Sequence, residues 1–140
     1  MENYKLTEDE VILLLIDWLK SKDWVITDYC LGHTRGIDIT AKKNSDVLYI
    51  EAKGARASSS SPIRKRKKFD SGQIRDHLGK AIVKSVETQI KHPSSIVAIA
   101  HPMDVDLFNI CDPVFNELEK LKIYKFWVSK EKVLTNLYIC

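Results

Sequence analysis

Apolar residues recur at helical spacing through Val11, Leu14, Leu15, Trp18 and Leu19, a stripe that predicts an amphipathic first helix. Thr7 stands just before the stripe with Glu10 three residues later, the pattern of a capping box, so the helix opens at Thr7. Residues 24–31 read as a strand. Residues 36–40 and 47–53 read as two more, joined through Lys43, Asn44, Ser45 and Asp46, which have the composition of a turn. Helical periodicity returns from Ser71 to about His92, with Ile74, Leu78, Ala81, Ile82, Ser85 and Gln89 on its buried face. Residues 94–100 form a short apolar run suited to a central strand covered on both sides. Residues 103–121 are again helical in pattern, but Pro113 predicts a short helix, a break and a second helix ending near Glu119. Residues 122–129 and 133–139 look like closing strands around a Lys130-Glu131 turn. There is no internal repeat, and low complexity is confined to a run of serines and basic residues.

The second and third strands carry the candidate chemistry. If their hairpin closes symmetrically on Asn44 and Ser45, Asp38 stands opposite Glu51. Directly opposed side chains in an antiparallel pair share a face, with Cβ atoms about 5 Å apart, and the two-residue period puts Lys53 there too. Like charges so placed destabilise a hairpin unless something neutralises them, which points to a metal site with a cation beside it. An ordinary solvated ion cluster is the bland alternative. Ile37, Ile39, Ile50 and Ala52 mark the other face as core. The geometry is conditional on register, because a one-residue slip turns Asp38 to the opposite face.

Bulk composition narrows the class without naming a substrate. The 140 residues, 44% hydrophobic, fit one domain with one core, here residues 1–140. The start lacks a signal-peptide pattern, and the longest apolar run, residues 11–16, is too short for a bilayer, so the expectation is a cytoplasmic protein without membrane attachment. Cys30, Cys111 and Cys140 are too scattered for a zinc or disulfide framework. The net charge of +3 hides an asymmetry. Residues 53–69 contain Lys53, Arg56, Arg64, Lys65, Arg66, Lys67 and Lys68 and no acid, which leaves −4 for the rest. That basic loop, about residues 54–70, suits phosphates, or else is a solvated linker.

Gly36-Ile37-Asp38, then twelve residues, then Glu51-Ala52-Lys53, in this order of elements, resembles the PD-(D/E)XK nucleases of the restriction-endonuclease-like superfamily. The resemblance covers about residues 7–100, leaving the C-terminal helix and strands, residues 103–140, outside the motif. It implies an α/β fold with an αβββαβ core and a mixed central sheet flanked by helices. Ile37 stands where the motif has proline, which leaves the acid in place. One branch of the family carries Gln followed four residues later by Tyr in the helix after the lysine; here Gln73 is followed by His77. Many members place a further Glu on the first helix as ligand or water anchor. Of the two available, Glu8 shares the face of Val11 and Leu15, whereas Glu10 can close the cap with Thr7.

The activity so implied is metal-dependent hydrolysis of DNA phosphodiester bonds by an endonuclease or resolvase-like enzyme. Mg²⁺, with Mn²⁺ as substitute, prefers oxygen ligands and keeps several waters, which suits Asp38, Glu51 and the Ala52 carbonyl, with one ion or two. Lys53 then orients or deprotonates a water or stabilises developing charge. Gln73, at a helix start, can hold a phosphate or a metal-bound water. His77, Lys80 and Lys84 continue that helix's polar face, with His77 and Lys80 as nucleic-acid contacts and Lys84 read as an ordinary wet position. The chain has no recognisable base-reading module, so a homodimer or a place in a larger nucleic-acid-processing assembly is expected. Two rival readings remain: a catalytically silent nucleic-acid-binding or assembly module of the same fold, and a small-molecule phosphohydrolase.

Overall fold

The computed structural model describes residues 5–32, 35–57 and 68–138. Helix α1 (Glu8–Ser21) is followed by strands β1 (Val25–Tyr29), β2 (Ile39–Lys43) and β3 (Asp46–Ala52). Helix α2 (Ser71–Lys91), strand β4 (Ile96–Pro102) and helix α3 (Val105–Leu118) come next, then a 3-10 turn (Glu119–Leu121) and strands β5 (Ile123–Val128) and β6 (Val133–Thr135). The described residues form one six-stranded sheet in the order β1-β2-β3-β4-β5-β6. Strand β2 is antiparallel to both β1 and β3, while β3, β4 and β5 run parallel, and β6 turns back on β5. This is the expected αβββαβ core with a mixed sheet flanked by helices, extended by α3 and two strands.

Each face of the sheet has its own core. Val11, Ile12, Leu15, Ile16 and Leu19 of α1 pack on Ile39, Ala41, Leu48, Ile50, Ala52, Ala98 and Ala100. On the opposite face Ile74, Leu78 and Ala81 of α2 join Leu107, Cys111, Phe115 and Leu118 of α3 over Ile99, Ile123 and Trp127. The alternation along β3 and β4 sorts side chains between these layers.

The hairpin has the register that a symmetric closure demands, from Lys43 with Asp46 to Ile39 with Ile50. Asn44 supplies the positive φ, 56°, that a two-residue connection requires. The capping box of α1 is also as expected: the Glu10 N–H donates to Thr7 Oγ1, and the Thr7 N–H donates to Glu10 Oε1.

Three expectations about elements need correction. Strand β2 begins at Ile39 rather than Gly36, and Ile37 lies outside the core, lining a cleft with Glu51 and Lys84. At Asp38 a side-chain oxygen, rather than the backbone, accepts the Ala52 N–H, so the ladder and its strict alternation end there. Pro113 does not break α3, which is continuous. The buried stripe of Leu107, Cys111, Phe115 and Leu118 runs across it, and Pro113 itself is exposed, so the carbonyl it leaves unpaired faces water. Finally, β6 stops at Thr135, because Asn136 Oδ1 takes the Lys125 N–H and Leu137 folds into the core.

Candidate active site

The site forms where β2 and β3 part. Asp38, immediately before β2, accepts the Ala52 N–H on Oδ2 at 2.8 Å, while its own carbonyl accepts the Cys30 N–H at 3.0 Å. Backbone on both sides therefore holds the carboxylate in place. Glu51, one residue before the end of β3, points to the α2 side, and both acids are buried, each only 8% exposed. Lys53 Nζ lies 3.7 Å from Glu51 Oε2 and Lys84 Nζ lies 3.3 Å from the same oxygen. Lys53 is fixed at its backbone by an N–H bond to the Ala100 carbonyl of β4.

Electrostatics confirm that the acids sense one another. Burial pushes the Asp38 carboxyl up to about 7, the Glu51 charge adds to this, and the Ala52 N–H opposes it. Burial also raises the Glu8 carboxyl, against the pull of Lys53 and with a further push from Glu51. Burial alone lowers the Lys84 ammonium, but Glu51, Asp38 and Glu8 outweigh it and leave the group raised. His77 is lowered by burial, then by Lys53 and Lys80, and stacks edge-on against Phe69 at 4.4 Å between centroids.

Glu8 reaches this cluster through a feature that the sequence did not announce. A Cβ on Gly54 would lie 2.5 Å from the Glu8 backbone nitrogen and 2.8 Å from the Thr7 carbonyl carbon. Only glycine lets the start of α1 settle on the residue after Lys53. The Ala55 N–H then donates to the Leu6 carbonyl at 2.8 Å. Glu8 thus joins the acids electrostatically, while Glu10 serves the cap.

The remaining expected residues divide. Gln73 caps α2, its Oε1 accepting the Asp70 N–H while its own N–H donates to Asp70 Oδ1, so its amide oxygen is committed away from the acids. Arg56 is also tied locally, with Nε donating to the Lys5 carbonyl and a guanidinium nitrogen 3.7 Å from Glu10. Arg64, Lys65, Arg66 and Lys67 fall outside the described residues. Lys68 is exposed, 3.9 Å from Asp106. The Phe69 N–H meets the Ala55 carbonyl, closing the base of the basic loop beside Lys53. Lys80 lines an open cleft together with Lys53, Arg75, Asp76, Gly79, Val83 and Lys84. Lys84 and Arg75 are the residues that sequence reasoning undervalued. The signal was present for Lys84, which follows His77 by two helical turns.

The donor set fits a hard divalent ion. Asp38 and Glu51 are buried carboxylates, the Glu51 charge adds to the rise at Asp38, and their oxygens are hard ligands of the kind a divalent ion accepts. Among the described residues no three His, Cys, Asp or Glu side chains are grouped closely enough to hold a metal. Glu8 is therefore not grouped with Asp38 and Glu51 as a third metal ligand. None of the described helices is long and apolar enough to cross a membrane.

No protein-family model matches this chain, and no curated protein sequence matches it. Among solved structures, an XisH family protein from Nostoc punctiforme is similar to it, with a TM-score of 0.55 and 13% identity over 86% of this chain and 91% of that one. At that identity the likeness is one of fold.

Proposed function

We propose that this chain is a Mg²⁺-dependent nuclease that hydrolyses phosphodiester bonds in DNA. The observation that carries the reading is the buried pair Asp38 and Glu51, coupled to each other and flanked by Lys53 and Lys84, at the end of a cleft whose walls are mostly cationic. Asp38, Glu51 and the Ala52 carbonyl would hold the ion. When bound it supplies positive charge for the phosphate oxygens and acidifies water.

The side chains do the rest. Lys53, anchored through its backbone to β4, orients the attacking water or takes its proton, while the new P–O bond forms and the bridging P–O bond breaks. Lys84 steadies Glu51 and faces the phosphate from the other side. Glu8 anchors a second water. Arg75, Lys80 and Lys68 attract the polyanion, whose affinity then falls with salt.

Incubating the protein with plasmid and branched DNA and Mg²⁺ or Mn²⁺ tests the reading. Cleavage is expected, with a loss of about 100-fold or more in Asp38→Ala, Glu51→Ala and Lys53→Ala. Cleavage that survives all three substitutions, or excess EDTA, rejects the site. One observation favours the silent-module reading: two lysines already sit on Glu51 and offer it a counter-charge without a metal. Calorimetry decides between them, since a saturable Mn²⁺ heat that disappears in Asp38→Ala contradicts a silent module.

A further inference from the structure

Helix α2 has a second apolar face that the fold does not use. Its buried residues are Ile74, Leu78, Ala81 and Ser85. On the opposite side Val83, Val86 and Ile90 are 59%, 37% and 74% exposed, and Gly79 continues the line one turn earlier. The steps from Gly79 to Val83, Val86 and Ile90 are four, three and four residues, the spacing of a two-helix seam. Over the eleven residue steps from Gly79 to Ile90 the stripe is about 16 Å long.

We infer that this face binds a second copy of the chain, α2 against α2 in antiparallel fashion about a two-fold axis. The stripe is complementary to itself in that arrangement. Val83 of one copy packs against Val86 of the other, and the same register brings Ile90 over Gly79. A Cβ at Gly79 meets nothing within 4 Å, so there is an open notch for the most protruding apolar side chain of the helix. Charges agree with the same register. Lys80 and Glu87 flank the seam on one side, neither forms an ion pair among the described residues, and the antiparallel pairing places each beside the other's counterpart. A parallel pairing would leave both without partners, because the opposite flank there offers Ile82 and Gln89.

The geometry has a functional consequence, which rests on the nuclease reading although the dimer does not. The cleft lined by Lys53, Lys80 and Lys84 is also lined by Gly79 and Val83 of the seam, so the partner's helix forms one wall of it. In an antiparallel pair related by a two-fold axis, the Lys80 flanks face the same way. Both sites then open onto one surface, where a single duplex could meet them together. Three helical turns make a small interface, so the expected dissociation constant is on the order of micromolar.

Sedimentation of the full chain without DNA or metal, from about 1 μM to about 300 μM, reads the association directly. A concentration-dependent dimer is expected. Ile90→Lys and Gly79→Leu should each leave a monomer with an unchanged circular dichroism spectrum. Lys80→Glu and Glu87→Lys should each weaken the dimer about tenfold, and the double charge swap should restore it. A monomer throughout the range, or a dimer indifferent to Ile90→Lys, overturns the proposal, as does a double swap weaker than either single change. Because no cleavage is measured, the outcome is independent of whether the site is catalytic.

Discussion

His101 is the residue whose chemistry is most out of keeping with its surroundings. It is 1% exposed, and both ring nitrogens lack a hydrogen-bond partner among the described residues, while the ring packs on Phe115 and Trp127. Burial, then Lys53 and His77, push it down to about 3, so the folded chain keeps it neutral where an unfolded chain protonates it below its ordinary 6.5. Between those values the unfolded state binds more protons, and His101 costs stability as the pH falls. Asp38, raised to about 7, has the opposite slope over much of the same window. The difference between the wild type and His101→Phe isolates the histidine. In urea titrations the variant should gain on the wild type by up to about 1.4 kcal/mol per pH unit on acidification below 6.5. A constant difference would mean that the ring finds a proton partner. Lys84→Gln makes a second test at this scale. With the ammonium gone from Glu51, Mn²⁺ should bind about three- to tenfold more tightly while cleavage slows, and calorimetry paired with a rate measurement separates the two effects.

At the level of elements, two substitutions probe departures from simple pattern. Gly54→Ala forces the start of α1 away from β3, since the added carbon meets backbone rather than a pliable side chain. A loss of about 1–3 kcal/mol is expected, and an unchanged urea midpoint would contradict the close approach. Pro113→Ala should instead stabilise α3, by about 1–3 kcal/mol, by restoring the missing N–H in a helix that continues regardless. These cases show what could be read in advance. The hairpin register was legible because a two-residue turn and strict alternation leave few choices, and Glu8 could be separated from Glu10 because the capping box claims one of them. The helix through Pro113 was not legible, because the price of the proline is offset by a buried stripe formed with α2 and the sheet. The late start of β2 was hidden for a related reason: a carboxylate substitutes for a backbone acceptor at Asp38. Lys84 looked solvated because its partner, Glu51, is distant in sequence.

For the molecule as a whole, seven cations and no acid fall within residues 53–69 of a chain whose net charge is only +3. If the cleft beside α2 tracks a phosphate backbone, the logarithm of DNA affinity should fall linearly with the logarithm of salt, and Arg75→Ala should make the slope shallower by about one. A slope that ignores Arg75 would move the polyanion elsewhere. The pairing of β3 with β4 has one more consequence. These neighbours in the sheet are far apart in the chain, joined through the basic loop and α2, and the Lys53 amide is pinned only when Ala100 arrives. Loop closure of that length is slow to form. An emerging chain that has made α1 and its first three strands therefore already carries both acids, yet its lysine stays unmoored until the crossover docks. If the proposed nuclease activity holds, cleavage measured during refolding should lag behind the first burst of secondary structure, and the newborn chain would stay harmless to nucleic acid until its sheet is knit together.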